Sequence, residues 1–236
     1  MTDLASSKNR PGAPAGPPQP MRLLVTGGSG VLGRALLPLA GRAGHTVLAP
    51  GHAELDLFDA DAVRRAVRGV DAVLHLATRI RSLDDLDRPE AWRENDRLRA
   101  EASAILVDAA RATTTSVYVQ PSVTFVYPPD APADEETPIA EVSPILASAL
   151  VAERNALGFT GPGRRGVVLR LGLLDGPGTG HDEPVLGMGA TVHVADAAQA
   201  LLAAVALPAG IYNVCRDGER ISNARLSHAA RWRPRY

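Results

Sequence analysis

Residues 22–33 read Arg-Leu-Leu-Val-Thr-Gly-Gly-Ser-Gly-Val-Leu-Gly. A short apolar run leads straight into glycines at 27, 30 and 33, and a helix-forming run opens at Val31. Strand, tight turn and helix in that order open a doubly wound parallel α/β sheet of the Rossmann type. Gly27 permits the turn, Gly30 lets backbone approach a pyrophosphate, and Gly33 lets the helix lie close on the sheet. The N–H groups that open such a helix face a phosphate. The residues offered to a dinucleotide are therefore Gly27, Gly30, Val31, Leu32 and Gly33.

The alternation continues along the chain. Strands are expected at Arg22–Thr26, Thr46–Ala49, Val70–Leu76, Ser116–Val119, Gly166–Leu171 and Ile211–Val214. Helices are expected at Val31–Ala43, Asp59–Arg68, Arg93–Ala112, Pro144–Leu157 and Asp196–Leu207, the last capped by Asp196. Residues 1–20 are rich in Pro and Gly with almost nothing to bury, and read as a disordered tail. Residues 21–236 then form a single domain. Its substrate-binding region is reduced to short segments at about 128–143, 175–192 and 215–236.

Composition excludes several classes. A net charge of −1 gives no clustered positive surface for nucleic acid or anionic membrane. No apolar run nears the roughly 18 residues needed to span a bilayer, and the N-terminus lacks a signal peptide's apolar stretch. One cysteine, Cys215, rules out an internal disulfide and a cysteine-based zinc site, so a reducing cytoplasm is expected. No metal site is expected. Lys8 is the only lysine, so the folded part holds no tunable amine.

Thr26-Gly27-Gly28-Ser29-Gly30-Val31-Leu32-Gly33 resembles the TGxxGxxG signature of extended short-chain dehydrogenases/reductases, the NAD(P)-dependent epimerase/dehydratase group. The likeness extends over nearly the whole chain beyond residue 21. It implies that Asp56 and Leu57 meet the adenine and that Leu76 and Ala77, after His75, line the cofactor. Asn95 sits at the family's helix asparagine. Leu169–Gly172, Gly176–Gly178, Val192–Asp196, Tyr212–Val214 and Trp232–Pro234 resemble its later markers. Plainer roles stand beside these. Asp56 can cap the following helix, His75 and Cys215 can be packed core residues, and Asn95 and His193 can be architectural.

In that family a Tyr-x-x-x-Lys pair on the helix after the fifth strand, with a serine at that strand's end, carries hydride chemistry. Moving a tyrosine from pKa ~10 to near 7 takes about 4 kcal/mol of electrostatic help. Here the matching helix places Ile145 at the tyrosine position and Ala149 at the lysine position, and neither residue type occurs on it. The serine persists as Ser122, with Thr124 beside it. Tyr127 is the nearest substitute acid. A hydroxyl at Ser122 that merely ties down its own backbone is the plainer reading.

The second strand ends in Ala49-Pro50-Gly51-His52 rather than in an acid, so NADP is preferred over NAD, with Arg34 and His52 facing a phosphate. Arg79 and Arg81 can pair with an anion, and His181, Asp182 and Glu183 can serve as acid or base. The expected function is that of an NAD(P)-binding oxidoreductase or isomerase of the epimerase/dehydratase type. Its substrate would be a small molecule, a secondary metabolite or sugar-like, handled without standard Tyr–Lys chemistry. The alternatives are a non-redox cyclase or dehydratase-like catalyst on the same fold, or a non-catalytic nucleotide-binding protein. Relatives often dimerise through the two long helices, which makes a homodimer the expected assembly.

Overall fold

The structure is a computed structural model and describes residues 19–80, 88–129, 131–139, 143–185, 187 and 189–236. Six parallel strands form the main sheet: β1 (Arg22–Thr26), β2 (Thr46–Leu48), β3 (Ala72–His75), β4 (Val117–Val123), β5 (Arg165–Leu171) and β8 (Gly210–Val214). Their order is β2-β1-β3-β4-β5-β8. Chain direction across the sheet reverses between β1 and β3, and ligands settle in the crevice that such a reversal opens beyond the carboxyl ends of the strands. The glycine turn sits at that place.

Both faces are covered, as the near-continuous apolar strands require. On one face α1 (Val31–Arg42) and α6 (Val194–Ala204) bury Leu36, Ala40, Ala197 and Leu201 against Leu23, Val25, Val119 and Leu169. On the other lie α2 (Ala60–Ala66), α4 (Ser103–Arg111) and α5 (Pro144–Gly158). They set Val63, Leu106, Ala156 and Phe159 against Leu24, Val73, Tyr118 and Val168. The doubly wound Rossmann-type architecture is as the sequence predicts.

Several details depart from the sequence reading. The helix expected at Arg93 starts earlier, as α3 (Pro89–Arg97), and passes through a π-helical turn, Leu98–Ala102, before α4. β4 runs through Pro121 to Val123 instead of stopping at Val119. It pairs with β3 only as far as Val119, so from Gln120 onward one side of the strand needs no donor and a proline is tolerated. A second sheet of two short parallel strands, β6 (Leu173–Asp175) and β7 (Thr191–His193), was too short to show a period. The helix α7 (Ala224–Ala230) was also missed.

Asp196 does not cap α6. His193 does, its Nδ1 accepting from the Ala195 amide at 3.2 Å. Asp196 lies inside the first turn, where its carboxylate accepts from the amides of Arg235 (2.9 Å) and Tyr236 (3.1 Å) and its carbonyl from Trp232 Nε1 (3.1 Å). It is an anchor for residues 232–236.

Candidate active site

At the end of β1 the chain turns at Gly27, whose φ of +71° suits glycine, and a Cβ there would lie 2.6 Å from the Ala77 amide nitrogen. At Gly33 a Cβ would meet Gly28 Cα at 2.5 Å. The turn closes through Gly30 N–H to Gly27 O at 2.9 Å. α1 begins after Gly30 with no side-chain cap and no acidic residue in its first turn. Its first amides, those of Val31, Leu32 and Gly33, have no intrahelical partner, and a helix start of this kind favours an anion. Leu76 N–H binds Thr26 O at 3.1 Å, which brings Leu76 and Ala77 up to the turn. Arg34 reaches back to Ser29 O at 2.5 Å, and a Cβ on Gly178 would touch its Nη2 at 3.3 Å.

Asp56 does not cap α2; Asp59 does, through Asp61 and Ala62 amides. Asp56 is exposed and accepts from Phe58 N–H at 2.9 Å, forming a local turn. Leu57 packs half-buried on the core. The turn after β2 does hold a carboxylate, which the local sequence concealed. Glu54 folds back to accept from the Gly51 amide at 2.7 Å. His52 is exposed.

The catalytic candidates separate on β4 and beyond it. Ser122 and Thr124 are 4% and 2% exposed, and neither hydroxyl has a hydrogen-bond partner. Buried hydroxyls are normally satisfied, so two orphans this close together stand out. Tyr127 is differently employed. Its hydroxyl donates to Asn213 Oδ1 at 2.9 Å, and its ring lies 4.9 Å from the Arg170 guanidinium carbon. Burial raises its pKa above the usual phenol value, with Arg170 and Asn213 opposing. Arg170, opposite Ser122 on β5, is clamped by Glu153 of α5 through two bonds of 2.9 and 2.7 Å, both side chains almost fully buried.

α5 presents half-buried Ile145 and buried Ala149 where the resemblance implies tyrosine and lysine. It is tied to the opposite helix by Ser148 Oγ to Asp96 Oδ1 at 2.7 Å. It also meets the π turn, where Asn155 Nδ2 reaches Ala100 O (3.2 Å) and Ser103 Oγ (2.8 Å).

His75 is a core residue. Its Nδ1 meets Thr26 Oγ1 at 2.7 Å and its Nε2 meets Leu98 O at 3.0 Å, and burial pushes its pKa down to about 4. It is neutral at physiological pH, with Nε2–H donating to the π turn. Asn95, wholly buried, accepts from Arg79 N–H at 3.1 Å and leaves Nδ2 unpartnered. Arg99 of the π turn is 7% exposed with Nη1 unpartnered, and burial lowers its pKa. Sequence reasoning missed Arg99. It is one arginine among many on a polar helix, and only the π turn, invisible in the pattern, faces it inward.

The remaining candidates lie apart. Arg79 is exposed and near Glu94 at 3.4 Å, while Arg81 is outside the described residues. His181, Asp182 and Glu183 sit on a partly exposed turn, where Gly176 N–H and the Thr179 hydroxyl bind the His181 carbonyl. His193 stacks on Tyr236 at 4.3 Å, and Cys215 is a buried core residue whose pKa burial pushes up to about 12. Segments 132–137 and 216–223 come together around a cavity of about 400 Å³. Among the described residues no three metal-binding side chains gather, and no helix is long and apolar enough to cross a membrane.

The sequence profile described as the NAD dependent epimerase/dehydratase family matches residues 23–190. The chain belongs to this family. It is 34% identical over 92% of its length to a 3-diazoavenalumate denitrifying reductase from a Streptomyces species, covering 80% of that protein. It is 32% identical over 67% of its length to a 2-alkyl-3-oxoalkanoate reductase of Stenotrophomonas maltophilia, covering 52% of that enzyme. Its fold matches that of RMD from Pseudomonas aeruginosa complexed with NADPH, with a TM-score of 0.74 and 23% identity. That match covers 91% of this chain and 94% of the other. Family and reductase relatives place the chain among NAD(P)-dependent enzymes. At its glycine turn the chain's own backbone leaves no room for a Cβ on Gly27 or Gly33, and α1 starts without a side-chain cap, an N-terminus that suits a phosphate.

Proposed function

We propose that this protein is an NAD(P)H-dependent reductase whose acceptor already carries positive charge and so needs no proton from a tyrosine. The observation that carries this reading is the pairing of an intact glycine cradle with an α5 that offers only Ile145 and Ala149 beside two orphaned hydroxyls. Val31, Leu32 and Gly33 amides would hold the pyrophosphate, Leu76 and Ala77 the wall beside it, and Asp56 and Leu57 the adenine end. A reduced nicotinamide supplies a hydride when bound there.

A ketone builds negative charge on oxygen during reduction and gains from an acid near pKa 7. Tyr127 is a poor acid for this, being buried, raised in pKa and committed to Asn213. An aryl diazonium is the opposite case. Replacing its N2 group by hydrogen consumes one hydride and releases dinitrogen, with atoms and charge balanced and no proton added. The Streptomyces relative's name describes such a denitrifying reduction. Ser122 and Thr124 then orient the substrate rather than protonate it, worth far more in a dry pocket than in water.

Arg34 and His52 support NADPH as the preferred form, with Glu54 opposing it beside Gly51. A homodimer through α3 and α5 belongs to the same proposal and rests on the resemblance to the family.

The test incubates purified protein with NADPH or NADH and either 4-carboxybenzenediazonium or 4-acetylbenzoate, following nicotinamide absorbance and aryl products. Enzyme-dependent oxidation with formation of benzoate is expected for the diazonium alone. Equal turnover of the ketone, or no turnover of the diazonium, overturns the proposal. The Ser122→Ala, Thr124→Val pair is expected to lower kcat/KM at least tenfold while dinucleotide binding stays unchanged.

A further inference from the structure

We propose that Arg99 recognises a carboxylate on the substrate, its guanidinium acting with Asn95, Ser122 and Thr124 as a donor-only site at the carboxyl ends of β3 and β4. This deepens the reductase reading and rests on it for the nature of the ligand. Five buried side-chain atoms among the described residues lack a partner: His45 Nε2, Asn95 Nδ2, Arg99 Nη1, Ser122 Oγ and Thr124 Oγ1. His45 stands apart, before β2, where its Nδ1 accepts from Met21 N–H at 3.1 Å.

The other four share one end of the sheet. Leu98 O rests on His75 and Asn95 Oδ1 on Arg79 N–H, so residues 95–99 ride over the end of β3. The register Leu74 to Val119 sets His75 opposite Gln120, and Ser122 follows two residues later on the same face of the adjoining strand. Thr124 comes directly after β4.

Every one of these groups can donate, and the charged one can only donate. A buried guanidinium is costly unless it is paired and hydrogen-bonded. Asp96, three positions earlier, opposes the loss of charge on Arg99 from nearby, but its Oδ1 is bonded to Ser148, and among the described residues no carboxylate forms an ion pair with Arg99. Nη1 is left without a partner, a donor free for a ligand's anion. The phosphates of a dinucleotide belong at the start of α1, beyond β1, which leaves the substrate as its source. One guanidinium among neutral donors matches a single planar negative charge, that of a carboxylate.

The placement also answers the change on α5. Ties between α5 and the neighbouring helix run from Ser148 to Asp96 and from Asn155 to Ala100 and Ser103. Ala149 lies between them on one helix and Arg99 on the other. The helix neighbouring α5 thus carries an arginine at the level of Ala149, the position where the resemblance implies a lysine.

The test titrates benzoate and its neutral counterpart benzamide calorimetrically into protein saturated with NADP⁺, and again without dinucleotide. Benzoate is expected to bind at least tenfold more tightly than benzamide. Arg99→Met should erase the difference, and Arg99→Lys should keep part of it. Equal binding of the two probes, or an unchanged benzoate preference in Arg99→Met, overturns the proposal. Should Arg99→Met not fold, the Arg99 Nε–H NMR signal of the parent protein, assigned by its loss in Arg99→Lys, decides the question. Movement with benzoate alone supports the site, and no movement overturns it. Nicotinamide fluorescence of NADPH reads the cofactor separately. A benzoate preference without NADPH binding would sink the reductase reading and leave the anion site standing.

Discussion

His75, next to the residues that the resemblance sets along the cofactor, is put to structural use. Its two ring nitrogens join β1 to the π turn, through Thr26 Oγ1 at 2.7 Å and Leu98 O at 3.0 Å, and its burial lowers the pKa from 6.5 to about 4. The folded state therefore binds fewer protons than the unfolded chain between those two values. Stability is complete above about pH 6.5 and is lost as pH falls toward 4, by about 3 kcal/mol in all. Urea unfolding between pH 4 and 7 should show this loss, and His75→Asn should flatten the slope. Equal slopes in the two proteins would mean that other groups govern acid stability. The sequence placed His75 on an apolar strand and so supported a core role. It gave no sign of Arg99, because an arginine's burial is a property of the helix that turns it inward.

At the scale of elements, α5 and β5 fix the geometry of the candidate site. A Cβ on Gly166 would lie 1.8 Å from Ala156 O, so the helix can approach this strand only because the side chain is absent. Gly166→Ala should force α5 outward and lower stability by about 2 kcal/mol or more, since backbone must shift. Thermal unfolding checks this, and an unaltered melting temperature would show that the helix yields freely. The same buried contact carries Glu153 to Arg170.

Which elements were legible follows from their length and pattern. β1, β3 and β5 are apolar runs with clear ends, and their helices carry a 3.6-residue period. β6 and β7 have three residues each and no period to read. The π turn inserts its offset inside a helix whose composition does not change there. Ser122 is singled out by the resemblance alone, and that it and Thr124 lack partners depends on neighbours distant in the chain.

Across the whole molecule, one polar centre joins the second sheet to the C-terminal residue, beside the anchor that Asp196 gives residues 232–236. Arg216 binds Asp175 through contacts of 2.5 and 2.7 Å, Thr191 Oγ1 at 3.0 Å and Tyr236 O at 3.1 Å. Asp175 is buried, its side chain 2% exposed. Arg216→Met strands that carboxylate and should cost about 3–5 kcal/mol. Adding Asp175→Asn should return part of the loss, which a double-mutant cycle by urea unfolding measures. Strict additivity of the two changes would show that the pair acts independently.

Ala149 and Ala152 are each 1% exposed on the inner side of α5, with Ser148 bonded across to Asp96. A lysine at position 149 would have to place four methylenes and an ammonium where packed neighbours now lie. Installing a lysine at position 149 alone would therefore wedge α5 away from its neighbours before its ammonium could reach any partner.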